Sequence, residues 1–265
     1  MRNDGVVPVP DRGGFTPPHP RGIFGEEKVV RDRLYLDWNA TTPLRPEARA
    51  AMAAAMDVVG NPSSVHAEGR VAKAMLERAR AQVAAAVGCA PDEVVFTSGA
   101  TEAAMVLSRL PVGHDVLVDP TAHDCLWAHF RTGGEAASGH TLAWGLANNE
   151  TGVLFPIEEI SAICRSKGVL CHTDAVQTPG KMKLDVKSLG VDFLSLSAHK
   201  LHAPKGIGML YVKRRTKYQP YIIGGHQENG RRVHRCEAIN EPLGGRPGAL
   251  GLLDRFDDAR QSGVG

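Results

Sequence analysis

Short apolar segments alternate with amphipathic segments through the middle of the chain, and this alternation constrains the fold most. The apolar segments predict strands at residues 93–96, 115–118, 142–146, 169–173, 192–195 and 208–212. Helical periodicity predicts helices at about 69–87, 100–107, 157–167 and 185–189. A parallel strand pair needs a long crossover, which is usually a helix. The pattern therefore predicts an α/β fold with a mostly parallel central sheet.

Two further elements are predicted before this alternation begins. Pro46 starts an alanine-rich helix that reaches Met56, since proline suits the first helical turn. Residues 34–37 read as a short strand, and Gly88 is placed to cap the helix that ends at Val87. Residues 1–33 are rich in proline and glycine and predict a flexible N-terminal arm.

Charge and hydropathy exclude several classes of partner. The 265 residues carry a formal net charge of +2, which gives no electrostatic reason to expect nucleic acid or a membrane surface. No apolar run approaches the roughly 18 residues of a membrane-spanning helix. The first 33 residues lack the apolar core of a secretory signal, so a cytoplasmic protein is expected. The five cysteines have no CxxC spacing and are expected to be reduced.

Polar side chains follow four of the predicted strands. They lie in the segments 97–102, 147–152, 174–177 and 196–200. Each segment alone is compatible with an ordinary turn or helix cap. The carboxyl ends of parallel strands meet at one edge of a sheet, where such folds bind ligands. The four segments together therefore predict one functional site.

The residue types in these segments suit pyridoxal 5′-phosphate (PLP). Lys200 offers an amine for a covalent link, and Asp174 offers a carboxylate for the pyridine nitrogen. The small residues at Ala100 and Thr101 open a helix whose first amides can approach a phosphate. Ser197 and His199 add hydrogen-bond donors to the same group.

Longer motifs resemble those of the NifS/IscS-type cysteine desulfurases, in the class V aminotransferase family. The matching segments are residues 35–42, 60–66, 96–102, 147–152, 172–177, 195–206 and 223–232. The resemblance runs from about Leu34 to Arg232, and its last part looks most like the nitrogen-fixation branch. It implies the large domain of PLP-dependent fold type I.

The resemblance also implies roles for individual residues around the cofactor. Lys200 matches the lysine that binds PLP covalently and moves the substrate Cα proton, and Asp174 matches the partner of the pyridine nitrogen. His123 matches a catalytic histidine that stacks on the ring and relays protons. The phosphate would be held by Ala100, Thr101, Ser197 and His199.

Three amide side chains match residues on the substrate side. Gln177 and Asn149 match residues near the ring hydroxyl and the substrate, and Asn39 matches an asparagine near the substrate carboxylate. Such enzymes convert L-cysteine to L-alanine and pass the sulfur, through a cysteine persulfide, to an iron–sulfur scaffold protein. They are homodimers, so the resemblance implies a homodimer here.

The chain departs from the family pattern in three places. The segment between His123 and Asn148 is shorter than usual, and the match stops after Arg232. The small C-terminal domain, with the catalytic cysteine and the carboxylate-binding arginine, is therefore expected to be missing. The expected organisation is an arm at 1–33, a PLP-binding domain at 34–232 and an unmatched tail at 233–265.

Two alternatives remain open at this point. No cysteine occupies the family's nucleophile position: Cys236 lies in the tail, and Cys125 follows the histidine segment. The chain can thus also be interpreted as a cysteine or selenocysteine lyase without a protein persulfide, or as a non-catalytic interaction protein. His123-Asp124 and the 172–174 segment bring metal-ligand types together, but no known ligand spacing, so no metal site is predicted.

Overall fold

A computed structural model describes residues 34–132, 139–220, 222–223 and 233–234 of the chain. Contacts divide the chain into two units, Met1–Leu36 and Asp37–Gly265. Of the first unit, only residues 34–36 are described, and their side chains are exposed. The strand predicted at residues 34–37 is wrong, because these residues have no regular secondary structure. Alternating apolar residues permit a strand, but a strand forms only where its backbone pairs with another one.

Among the residues that the structure describes, the regular elements all belong to the second unit. The α-helices are α1 (Pro46–Met56), α2 (Ala67–Val87), α3 (Ala100–Ala104), α4 (Asp124–Trp127), α5 (Ile157–Ser166) and α6 (Val186–Leu189). The strands are β1 (Val94–Thr97), β2 (His114–Val118), β3 (Gly139–Gly145), β4 (Leu170–Asp174), β5 (Phe193–Ser197), β6 (Gly208–Val212), β7 (Ile222–Ile223) and β8 (Val233–His234). Short 3₁₀ helices occupy Pro91–Glu93, Met105–Arg109 and Ala198–Lys200.

Six strands form one sheet in the order β1-β6-β5-β4-β3-β2. Strands β2 to β5 pair in parallel, whereas β6 lies antiparallel between β5 and β1. The predicted α/β fold with a mostly parallel sheet is confirmed. Strand β6 runs the opposite way because only a short loop connects it to the 3₁₀ helix after β5, and short connections favour antiparallel neighbours. A separate two-stranded parallel pair joins β7 to β8.

Apolar side chains cover both faces of the sheet, which explains why its strands are apolar almost throughout. On one face, α2, α5 and α6 bury Val87, Ile157 and Leu189 against Leu194. On the other face, the segment that starts with α3 buries Val106 and Leu107 against the opposite side of β5, at Phe193. Side chains that alternate along each strand thus enter two separate cores.

Local signals account for the ends of the helices. Gly88 ends α2 in the left-handed conformation at φ 77°, as its position after Val87 predicts. Helix α1 spans the predicted residues, with proline in its first turn. Helix α3 is shorter than predicted, since it tightens into a 3₁₀ helix at Met105. Within the described ranges, no helix is long and apolar enough to cross a membrane.

Candidate active site

The carboxyl ends of the parallel strands open into a cleft of about 890 Å³. The polar segments after β1, β3, β4 and β5 contribute to its wall. All ten residues predicted for the site line this cleft: Asn39, Ala100, Thr101, His123, Asn149, Asp174, Gln177, Ser197, His199 and Lys200. The structure therefore brings together residues that lie up to 161 positions apart, between Asn39 and Lys200, in the sequence.

One end of the cleft is formed by the turn between β1 and α3. The Ser98 amide donates to Glu102 Oε2 at 2.6 Å, and the Thr97 hydroxyl donates to the Gly99 carbonyl at 2.9 Å. These bonds stabilise the turn. The first amides of α3 follow the turn, and amides at the start of a helix have no acceptor within their own helix. Ser197, at the end of β5, lies beside this turn: its Oγ is the nearest atom to a side chain built on Gly99, at 3.8 Å.

Lys200 and Asp174 interact electrostatically inside the cleft. Burial lowers the pKa of the Lys200 amine, and the charge of Lys181 lowers it further, against an opposing effect of Asp174. Burial raises the pKa of the Asp174 carboxyl, against the Val176 amide and the charges of Lys200 and His123. The Val176 amide donates to Asp174 Oδ1 at 3.0 Å and orients the carboxylate. A larger neutral fraction makes the Lys200 amine a better nucleophile.

His123 has a fixed orientation at the start of α4. Its Nδ1 accepts a hydrogen bond of 3.1 Å from the Cys125 amide, so a neutral ring carries its proton on Nε2. The Cys125 thiol lines the same cleft. Burial raises the pKa of this thiol to about 12, and the charge of Asp174 acts in the same direction.

Two threonines in the segment before α1 form hydrogen bonds with His199. The Thr42 amide donates to the His199 carbonyl at 2.8 Å, and the Thr42 hydroxyl donates to the same oxygen at 2.8 Å. The Thr41 hydroxyl lies 3.1 Å from His199 Nδ1. Burial lowers the pKa of His199, and the charges of Lys200 and Lys205 lower it further. These effects favour a neutral imidazole that can donate one hydrogen bond.

The amide side chains on the substrate side form a connected set. Gln177 Nε2 donates to the Asn39 carbonyl at 3.0 Å, and Asn39 Nδ2 donates to the Asn149 carbonyl at 3.3 Å. Asn148 holds the neighbouring loop: its Nδ2 donates to the Thr121 carbonyl at 3.0 Å, while its Oδ1 accepts from the Glu150 amide at 2.9 Å. The loops after β3 and β4 are therefore tied to the segment before α1.

The residues present fit PLP. The cleft combines an amine of lowered pKa, a buried carboxylate and, at the α3 turn, hydrogen-bond donors suited to a phosphate. By contrast, no group of three or more His, Cys, Asp or Glu side chains in the described ranges is arranged to hold a metal ion.

Several cleft residues were not predicted from the sequence. Asp119, Thr121 and Lys205 line the cleft, and Lys181 contacts its amide side chains. Asp119 and Thr121 follow β2, so the rule that polar residues after strands face the ligand would have found them. The turn sequence Thr178-Pro179-Gly180 is a second signal in the sequence, and it could have drawn attention to Lys181. Of the cysteines, Cys164 and Cys171 are buried, and Cys236 lies outside the described residues.

Comparisons with known proteins match this chain to one family. The family model for class V aminotransferases matches residues 34–125 and 138–243. A cysteine desulfurase of Enterobacter agglomerans is 39% identical over 76% of the chain, and the cysteine desulfurase IscS of Dictyoglomus turgidum is 37% identical over 77%. The chain spans 58% and 60% of the length of these curated relatives, which is less than two thirds.

Solved structures have the same fold. A NifS-like protein superposes with a TM-score of 0.70 at 31% identity, covering 75% of this chain and 64% of its own. The protein SspA, solved in complex with cysteine, has a TM-score of 0.69 at 26% identity, covering 85% of this chain and 77% of its own. With a family match over more than half of its residues, this chain belongs to the class V aminotransferase family.

Proposed function

We propose that the chain is a PLP-dependent enzyme of the cysteine desulfurase type, which takes sulfur from L-cysteine and releases L-alanine. The observation that carries the proposal is that Lys200 and the buried Asp174 lie in one cleft with the α3 turn, close enough for the charge of each to affect the pKa of the other. The names of the relatives, cysteine desulfurases, support the choice of reaction and substrate.

In this proposal each residue has the role that the family resemblance implies, and the place of each residue in the cleft supports it. Lys200 holds the cofactor covalently and moves a proton at the substrate Cα, helped by its lowered pKa. Asp174 would keep a proton on the pyridine nitrogen, and His123 would stack on the ring. The phosphate would be held by Ala100, Thr101, Ser197 and His199. When bound, PLP supplies the electron sink that allows the C–S bond to break.

The overall reaction balances with one thiol as acceptor. L-cysteine loses its sulfur to the thiol, which becomes a persulfide, and Cβ receives a proton to give L-alanine. In the same proposal the persulfide sulfur passes to an iron–sulfur scaffold protein, as in nitrogen-fixation systems, and the protein acts as a cytoplasmic homodimer. Asn39, Asn149 and Gln177 line the cleft, and in this proposal the amino acid binds on their side of it.

A second candidate is a cysteine lyase that forms no persulfide on the protein. In that case a small thiol in solution takes the sulfur directly. The raised pKa of Cys125, the described thiol that lines the cleft, favours this candidate, because a thiol with a pKa of about 12 is almost entirely protonated at neutral pH.

The test of the proposal is the visible absorption of the purified chain after addition of PLP. We expect a band from the lysine-bound cofactor that Lys200→Ala abolishes and that Lys167→Ala, an exposed lysine after α5, leaves unchanged. Absence of any band in the unmodified chain contradicts the proposal and favours a non-catalytic protein.

Adding L-cysteine separates the two candidate reactions. Alanine formation together with a persulfide found by mass spectrometry on any of the five cysteines supports the desulfurase. Alanine formation with a persulfide only on the added small thiol supports the lyase. If Cys125→Ala leaves the rate unchanged in either case, the thiol in the cleft takes no part.

A further inference from the structure

A tight turn places Lys181 beside the cleft. The turn spans residues 178–181, and the Lys181 amide donates to the Thr178 carbonyl at 3.0 Å. Proline at its second position and Gly180 at its third, with φ 77°, are typical of a type II turn. Thr178 is fully buried, and its hydroxyl donates to the Ala175 carbonyl at 2.8 Å. The chain that leaves β4 is thus anchored before it reaches Lys181.

Lys181 fixes the orientation of two amide side chains that line the cleft. Its Nζ donates to Asn39 Oδ1 at 3.0 Å and to Gln177 Oε1 at 3.1 Å. An ammonium group has three donors and no acceptor, so both amide oxygens must face it. Both NH₂ groups are consequently turned away from Lys181. Each donates one hydrogen bond to a backbone carbonyl, Asn39 to Asn149 and Gln177 to Asn39, which leaves its second N–H for a ligand.

These contacts make the surroundings of Asn39 and Gln177 more positive, against the carboxylates of Asp37 and Glu150 that line the same cleft. An amide oxygen turned toward a carboxylate repels it, whereas an NH₂ group donates to it. Lys181 binds both amide oxygens, so that they do not face a substrate carboxylate, and it adds its own positive charge. That charge also lowers the pKa of Lys200. An anionic group on a substrate is therefore favoured here.

We propose that Lys181 is a positioning residue for the carboxylate of an amino-acid substrate, acting through the side-chain amides of Asn39 and Gln177. The inference rests on the proposed function, because it assumes a PLP-bound site that accepts an amino acid. Lys181 itself holds the amides in place and adds charge beside the cleft.

The test compares two amines that differ in the carboxylate. L-alanine carries the carboxylate and ethylamine lacks it, and neither contains sulfur to be transferred. Their dissociation constants are measured on the PLP-loaded full chain from the change in visible absorption, in the unmodified protein and in Lys181→Met and Lys181→Arg. We expect Lys181→Met to weaken L-alanine binding roughly tenfold and to leave ethylamine binding unchanged.

The arginine variant and a matched lysine separate positioning from folding. Lys181→Arg keeps the charge and the donors, so we expect it to restore most of the affinity for L-alanine. Lys167→Met, which removes an exposed lysine elsewhere, should change neither constant. Thermal unfolding by circular dichroism checks that all three variants are folded.

The salt dependence of binding gives an independent measurement. Salt screens exposed charges, so L-alanine binding by the unmodified chain should weaken as the salt concentration rises, and less so in Lys181→Met. Equal L-alanine constants in the unmodified and methionine chains overturn the inference. Equal loss for L-alanine and ethylamine also overturns it. If the unmodified chain takes up no PLP, the proposed function itself fails.

Discussion

Gly208 and Gly99 touch where β6 passes the turn between β1 and α3. A Cβ atom on Gly208 would lie 2.6 Å from Gly99 Cα and 2.6 Å from the Leu196 carbonyl oxygen. Real Cβ atoms do not approach backbone atoms so closely. Only glycine at 208 therefore lets the antiparallel strand pack against the turn proposed to hold the phosphate.

Gly208→Ala should destabilise the fold and damage this end of the cleft. The added methyl group must displace backbone on two sides, which costs about 1–3 kcal/mol of unfolding free energy. Urea unfolding measures the loss, and titration with PLP measures the affinity. Gly99→Ala is the matched control, because the nearest atom to its Cβ is 3.8 Å away. If both variants lose equal stability, the close contact is not the cause.

Asp174→Asn should make the PLP-free chain more stable at pH 7 and weaken its affinity for PLP. Burial raises the pKa of Asp174 in the folded state above the unfolded value of about 3.9, so ionisation costs folding free energy. The unmodified chain loses stability as the pH rises from about 3.9 through the folded pKa. The neutral side chain in Asp174→Asn avoids this loss. Denaturant midpoints at pH 7 and pH 4 measure it.

The stability gain of Asp174→Asn should be much smaller at pH 4 and disappear below about pH 3, where the carboxyl is protonated in both states. PLP affinity at pH 7 should fall at least roughly tenfold, because the pyridine nitrogen loses its charged partner. A variant that is less stable at pH 7 and binds PLP normally contradicts both the pKa shift and the proposed role.

Arg80 is a buried charge on α2 that secures β1. Its Nη1 donates to the Val94 carbonyl at 2.8 Å, and its guanidinium lies 4.9 Å from the centre of the Phe96 ring. Arg80→Met should cost about 2–3 kcal/mol, since the buried carbonyl loses a charged donor. Glu77, 3.3 Å from Arg80 Nε, is half exposed, so Glu77→Ala should cost under about 1 kcal/mol. Similar losses in the two variants would contradict this ranking.

The sequence predicted most elements to within a few residues, because the periodicities and caps that define them are local. Helix α1 and strand β6 have their predicted bounds, and the polar segments after four strands do meet in one cleft. Two features depend on contacts that no local pattern contains. The strand expected at residues 34–37 is absent, and the bond from Lys181 to Asn39 joins residues 142 positions apart.

His172 on β4 should make the chain less stable as the pH falls. Its side chain is fully buried, with Nε2 2.7 Å from Ser195 Oγ, and Nδ1 has no hydrogen-bond partner in the described structure. Burial, and then the charge of His129, lowers its pKa to about 3. An unfolded histidine titrates near 6.5, so between about pH 6.5 and 3 the unfolded chain binds a proton that the folded chain does not.

The free energy of unfolding should therefore decrease through that window, by up to about 1.4 kcal/mol per pH unit from this residue. His172→Gln should lower stability at pH 7, because it disturbs a packed core, and should reduce the slope between pH 6 and pH 4. Urea unfolding at several pH values measures both effects. His140→Gln, at a half-exposed position beside Asp115, keeps His172 and is the control. An unchanged slope in His172→Gln would show that His172 becomes protonated without unfolding.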